Sequence, residues 1–287
     1  MDSKNRWKPW AMSGPGLLVF VTMLLAPLAL TAILSLNVFN GMEGIQKVYS
    51  LKNYLEIFSD SYYLEIFGRT ALMSAIVTVL CVVLGVPETL IISRMRGRWR
   101  GVFLLIILAP LLISVVVRTL GWSILMGNNG LINKGLMLFH IIDEPLRLAF
   151  TMTGVTIAMV HVMVPFMVIS VWASLQKLDP QVENAGLSLG ASQRTVFRRV
   201  VLPQLLPGIL SGSIIVFALS ASAFATPALL GGRRLKVVAT AAYDEFLNTL
   251  NWPLGAALAV VLLLATVVVL VGCNRWIERR FKAVFEG

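Results

Sequence analysis

Cysteine is scarce in this sequence, and so are histidine and charge: two Cys, two His and 13% charged residues in 287. Cys81 and Cys273 both lie inside apolar runs, where a thiol behaves as a small hydrophobe, so neither a disulfide framework nor a paired metal site is supported. The chain has no Gly-x-x-x-x-Gly-Lys-Ser/Thr phosphate loop, no His-Glu-x-x-His, and no nucleophile with a base in a soluble segment. It is therefore not expected to be an enzyme by itself, and no cofactor or metal is implied. The alternating ten-residue strands of a membrane barrel are missing too, as are low-complexity segments and convincing internal repeats.

Apolar length fills the space these absences leave. Hydrophobic residues make up 57% of the chain, beyond the roughly half-apolar usage of soluble domains. Six runs are long enough to cross a bilayer as helices: Leu17 to Leu36, Thr70 to Ser93, Gly101 to about Leu125, Leu148 to Leu175, Gln204 to about Leu230, and Trp252 to Cys273. The reading is an all-α, polytopic membrane protein with about six spans, forming one transmembrane domain over residues 1–287. Arg118 interrupts the third run after 17 uncharged residues, so its outer end is expected to be re-entrant or interfacial. The first run follows Lys4, Arg6 and Lys8 as a signal peptide would. At 20 uncharged residues, with no clean small-x-small site, it reads as a retained helix.

The net charge of +10 could suggest nucleic acid, but a polytopic membrane protein collects Lys and Arg in its cytoplasmic loops, and no nucleic-acid partner is expected. With the N-terminus inside, 15 of the 24 Lys and Arg fall on the cytoplasmic side, including Arg94, Arg96, Arg98 and Arg100, and nine on the other. Both termini are thus expected to face the cytoplasm.

The informative loop is cytoplasmic and runs from about Asp179 to Pro203. Asp179 can cap a helix with Pro180 at its first position, and Val182, Ala185, Gly186 and Leu189 then fall on one face. Gly190 can take the left-handed conformation that ends a helix, and Ser192 can cap a second one. That second helix carries Phe197, Val200 and Val201 on one face and Arg194 and Arg198 on another, until Pro203 disrupts it. An ordinary amphipathic connector would show the same helix-glycine-helix pattern.

The loop resembles that of the binding-protein-dependent ABC permeases, which read Glu-Ala-Ala, three residues, Gly, nine residues, Ile, one residue, Leu-Pro. Anchored on Gly190, the spacing puts Val200 at the Ile position and Leu202-Pro203 at the end without a gap. Asn184, Ala185 and Gly186 then occupy the Glu-Ala-Ala positions. Glu183 is adjacent but about 100° round the helix from the acidic position. The resemblance implies the type I ABC importer fold in a bacterial inner membrane, in contact with lipid. It further implies a cytoplasmic ATPase, as a dimer, that receives this loop, a second permease subunit, and a periplasmic solute-binding protein. Glu183, Asn184, Ala185, Gly186, Gly190, Ala191, Ser192, Phe197, Leu202 and Pro203 are the implied coupling residues.

A wider likeness, from about Arg118 to Leu258, is to spermidine/putrescine-type permeases. It is carried by Gly-Leu-Ile-Asn at 130–133, Pro-Phe-Met-Val at 165–168, Leu-Gly-Ala-Ser at 189–192, Leu-Leu-Gly-Gly at 229–232 and Asn-Trp-Pro-Leu-Gly at 251–255. It implies a polyamine or related organic cation as cargo. Permeases for aminoethylphosphonate, opines or ferric iron share parts of the pattern.

Five residues are candidates for the substrate path. Glu88 and Arg118 are charges at the edges of spans, where function and snorkelling compete. His161 lies within the fourth span, where a hydrogen-bonded packing role competes. Asp244 and Glu245 sit among Tyr243, Phe246 and Trp252, a mixture that suits an amine or an interfacial aromatic belt. Pro165 and Pro227 are placed to kink the fourth and fifth spans. A secondary transporter would also be polytopic, but such proteins usually carry coupling carboxylates within their spans and internal repeats, and neither is evident.

Overall fold

A computed structural model describes residues 8–178, 180–232 and 235–280, and most of it is helical. Five helical stretches are long and apolar enough to cross a membrane: Ser13–Ser35 within α1 (Lys8–Ser35), α3 (Ser61–Ser93), α7 (Met152–Leu175), the unbroken stretch Gln193–Ala221, and Trp252–Arg275 within α13 (Trp252–Arg280). A sixth element is broken. α4 (Gly97–Leu108) and a 3-10 turn to Leu112 meet α5 (Val115–Met126) and α6 (Leu131–Leu138) at a bend of 98°.

That bend replaces the single run expected from Gly101 to Leu125. Pro110 has no N–H to return to the carbonyl four residues back and its ring crowds that carbonyl. The helix therefore tightens into the 3-10 turn, and Ile113 is extended before Ser114 opens α5. The second span begins earlier than its apolar run, at Ser61, because Arg69 pairs with Glu65 one turn before it and the charges ride on the helix surface. The fifth span also departs from expectation, ending at Ala221 with a separate short helix α11 (Ala225–Leu230) beyond it. Pro227, in the first turn of α11, cannot continue a helix through Ala223, which is four residues back.

The chain divides into two compact units. One comprises residues up to Leu64 together with Ala241–Val261. In it α1 leads to a small antiparallel hairpin, β1 (Val38–Asn40) and β2 (Gly44–Gln46), with Phe39 opposite Ile45. The buried Asn53 of α2 (Lys52–Ser59) donates to the carbonyls of Ser35 at 2.8 Å and Asn37 at 2.9 Å, satisfying acceptors that the end of α1 leaves open. The apolar side chains of α1, such as Leu18, Phe20 and Met23, point outward, as on a surface that lipid covers.

The other unit, Glu65–Thr240 with Leu262 onward, holds α7 at its centre. α3 and α10 (Leu202–Ala221) approach α7 closely because glycines face it. A Cβ on Gly85 would lie 2.9 Å from Met167 Cγ, one on Gly208 2.6 Å from the Ser170 carbonyl oxygen, and one on Gly212 2.8 Å from Met167 Sδ. Small residues four apart are the usual means of bringing membrane helices together, where apolar surface alone gives no drive to associate. Met73, Met159, Met163 and Met167 fill the buried space between them. Cys81 is buried there, its Sγ 3.9 Å from the Val160 carbonyl, whereas Cys273 is exposed on α13.

Candidate functional site

The loop singled out in the sequence is a compact elbow. α8 (Pro180–Ser188) ends at Gly190, which has φ +82°. Gly190 N–H donates to the Leu187 carbonyl at 3.0 Å and Ala191 N–H to the Gly186 carbonyl at 3.2 Å, the paired closure that a left-handed residue after a helix permits. Ser192 then caps α9 (Gln193–Val196), its Oγ accepting from Thr195 N–H at 3.3 Å. The expected N-cap, Asp179, lies outside the described residues, as do Arg233 and Arg234.

Gly186 brings the two short helices together, since a Cβ there would lie 3.1 Å from Val196 Cγ2. Sequence reasoning placed Gly186 but missed Val196, which is buried. A glycine where the family pattern has alanine was the available signal. The face assigned to α8 is not all inward: Leu189 is 88% exposed and Val182 is exposed as well. Asn184 and Ala185 are exposed on α8, which also carries Glu183, and the Asn184 carbonyl accepts from Ser188 Oγ at 2.9 Å.

Pro203 does not stop the second helix. The chain widens into a π-helical turn, Phe197–Val201, and Leu202 N–H reaches back to the Phe197 carbonyl. This wider turn re-registers the backbone just before the residue that lacks an N–H, and α10 continues to Ala221. The elbow is therefore joined directly to a spanning helix. Val201 is buried and Phe197 packs against the core.

Glu88 and His161 come together on one cleft of about 560 Å3 in the same unit, with Trp122 and Pro165 and an otherwise aliphatic lining. Trp122 Nε1 donates to His161 Nδ1 at 3.2 Å, and the rings meet edge to face at 5.5 Å. Nδ1 is thus occupied as an acceptor, leaving Nε2 to carry the ring hydrogen. Pro165, four residues after His161, offers no N–H to the His161 carbonyl. Glu88 forms no ion pair among the described residues. Arg118 does not line the cleft but sits one turn before Trp122 on the same face of α5. Its Nε and Nη1 are buried with no hydrogen-bond partner among the described residues. Buried polar groups without partners cost free energy and call for a reason. The pairing of Trp122 with His161 was not readable from sequence, because it depends on how α5 meets α7.

Asp244 and Glu245 belong to the other unit and are engaged locally. Glu245 accepts from Tyr63 Oη at 3.3 Å and Thr249 Oγ1 at 2.6 Å, and Asp244 accepts from Asn248 Nδ2 at 2.8 Å. Phe246 and Trp252 lie 6.5 Å apart beside Gly255. These bonds hold the end of α12 (Val238–Leu247) to its surroundings.

Residues 85–283, which contain the elbow and most of the cleft, match the family described as the inner membrane component of binding-protein-dependent transport systems. The chain belongs to this family. It is thus an inner-membrane permease of the ABC importer class. It is 31% identical over 218 residues to the spermidine/putrescine transport system permease protein PotB of Escherichia coli, covering 76% of this chain and 79% of that one. It is 36% identical over 209 residues to the molybdenum transport system permease protein ModB of Mycobacterium tuberculosis, covering 71% and 77%. Among solved structures, the permease fold matches a chain of a bacterial alginate ABC transporter with a TM-score of 0.80 at 16% identity, over 96% of both chains. It also matches a chain of the MetNI methionine ABC transporter with a TM-score of 0.54 at 16% identity, over 75% and 93%.

Proposed function

We propose that this permease is the translocation subunit of an ATP-driven importer whose cargo is a small organic amine of the polyamine class. The observation that carries the cargo is Glu88, a carboxylate without an ion pair among the described residues, on the wall of an apolar cleft. An ionisable side chain within a span is expensive and marks a substrate path by default. The aliphatic walls suit methylene chains, the carboxylate suits an ammonium, and the Trp122 ring offers a cation–π face. The likeness to PotB supports the same reading.

On this reading the chain is one transmembrane domain with both termini cytoplasmic. It stands beside a second permease subunit and receives cargo from a periplasmic solute-binding protein. A separate ATPase dimer grips the elbow over residues 179–203, and its motion passes into the membrane because α9, the π turn and α10 form one rod packed by Gly208 and Gly212 against α7. A relative of known structure, the alginate transporter, has been solved in complex with a ligand-bound periplasmic protein, which supports this set of partners.

A second reading has its own observation. The Nε and Nη1 of Arg118, without a hydrogen-bond partner among the described residues, suit an oxyanion, and the likeness to ModB points the same way. Uptake by a strain lacking this permease separates the two. Loss of labelled putrescine and spermidine uptake, restored by the wild type and not by Glu88→Gln, is expected for amine cargo. Unchanged uptake of both, with loss of molybdate uptake, would establish the second reading.

A further inference from the structure

The cleft that holds Glu88 has unlike ends. Cys81 Sγ approaches the Val160 carbonyl and Gly85 faces Met167, so α3 and α7 run side by side in the same direction. Glu88 on α3 therefore stands roughly two helical turns, about 10 Å, beyond the level of His161 on α7. Between them the wall is aliphatic, with Leu84 and Val164. One end offers a single carboxylate and the other the paired rings of His161 and Trp122.

The indole fixes what the ring end can do. Its Nε1–H can only donate, so His161 Nδ1 accepts and Nε2 carries the ring hydrogen. That Nε2–H has no acceptor among the described residues. The His161 carbonyl lacks its usual donor, because the N–H that an α-helix would supply belongs to position 165, and Pro165 has none. His161 therefore brings both a donor and an acceptor to the cleft wall. Arg118 stands one turn before Trp122 on α5, and its charge opposes a second cation at this end.

A free diamine suits only one of these ends. Its first ammonium pairs with Glu88, but its second, beside the indole, meets a donor where it needs an acceptor. A carboxylate terminus would use the Nε2–H and has no hydrogen for the open carbonyl. A secondary amide has both an oxygen and an N–H, and its plane can stack on the indole. Given the amine reading of the cargo, we propose that the preferred cargo of this cleft is a short diamine acylated at one nitrogen. Its ammonium pairs with Glu88 and its methylenes lie on Leu84 and Val164. Its amide oxygen accepts from His161 Nε2–H, and its amide N–H donates to the His161 carbonyl.

The test is competition binding to the full-length chain in lipid nanodiscs, where no binding protein imposes its own selectivity. Radiolabelled N-acetylputrescine is the probe, and putrescine, pentylamine and 5-aminopentanoate compete with it. N-acetylputrescine should bind about tenfold more tightly than each of the three. His161→Phe should abolish the preference over pentylamine, and His161→Gln, which keeps an N–H donor, should retain most of it. Glu88→Gln should weaken N-acetylputrescine and pentylamine alike. Equal or tighter binding of any competitor, with Glu88→Gln still weakening the amines, would overturn this proposal and leave the amine cargo standing. So would a preference that survives intact in His161→Phe. Amine binding unchanged by Glu88→Gln would overturn the amine reading and this proposal with it.

Discussion

Gly186 and Val196 face each other across the elbow so closely that a Cβ on the glycine would stand 3.1 Å from Val196 Cγ2. That distance asks the valine to yield by a few tenths of an ångström. Gly186→Ala should therefore be tolerated, with cargo-dependent ATP hydrolysis by the assembled transporter within about twofold of wild type. Gly186→Val adds branches with nowhere to go, and overpacking of this kind costs about 1–3 kcal/mol. It should splay α8 from α9 and depress stimulated hydrolysis while membrane insertion, read by fractionation, is unchanged. Equal behaviour of the two variants would mean that the contact is not what sets the elbow angle.

Gly190 tests the same elbow through the backbone. A Cβ there meets no atom within 4 Å, so only its φ of +82° opposes substitution. Gly190→Val carries a penalty of roughly 1 kcal/mol or more and should weaken ATPase pull-down and stimulated hydrolysis together. Gly190→Asn, which tolerates the left-handed region better, should restore much of both. Asn184 is exposed six residues earlier, and Asn184→Asp should alter ATPase stimulation if this position meets the partner. A wild-type response in Gly190→Val and Asn184→Asp alike would remove the coupling role from this loop.

The packing of α10 on α7 gives an ordered set of stabilities. A Cβ at Gly208 would collide with a backbone oxygen, that of Ser170 at 2.6 Å, whereas one at Gly212 would meet the sulfur of Met167, a flexible side chain, at 2.8 Å. Gly208→Ala should lower the thermal midpoint by several degrees, Gly212→Ala by less, and Gly101→Ala, with open space around it, not at all. Thermal unfolding of the purified chain in one detergent measures all three. A Gly212 variant less stable than the Gly208 variant would contradict this packing.

How much of this was legible in the sequence depends on the range of the interaction. Gly190 and Ser192 were readable because a left-handed residue and an N-cap act on backbone groups within a few positions. The apolar runs were readable because lipid demands length. Charge misled at Arg69, whose partner Glu65 lies on the same helix, and proline misled twice in opposite directions. Pro203 was read as a stop and is passed by a π turn; Pro227 was read as a kink and stands in the first turn of a new helix. Gly186 with Val196, Gly208 with Ser170 and Trp122 with His161 join positions 10 to 39 residues apart. No local pattern announces these pairs.

Pro203 therefore makes the most pointed prediction about the elbow. Proline removes one backbone donor and crowds the carbonyl four residues earlier, and the π turn over Phe197–Val201 accommodates both effects. Pro203→Ala returns the donor and removes the ring, so the turn can close to ordinary α-helical geometry. One residue of register is about 100° around the axis, and closing the turn would rotate α9 and the elbow relative to α10. The chain should stay at least as stable, since alanine favours a helix interior by about 3 kcal/mol over proline. Stimulated ATP hydrolysis should nevertheless fall, because the elbow points elsewhere. Cysteines at 189 and 215, both exposed positions, spin-labelled in a background without Cys81 and Cys273, would report the rotation as a changed distance distribution. An unchanged distribution together with normal coupling would show that the π turn belongs to the surrounding packing and not to Pro203.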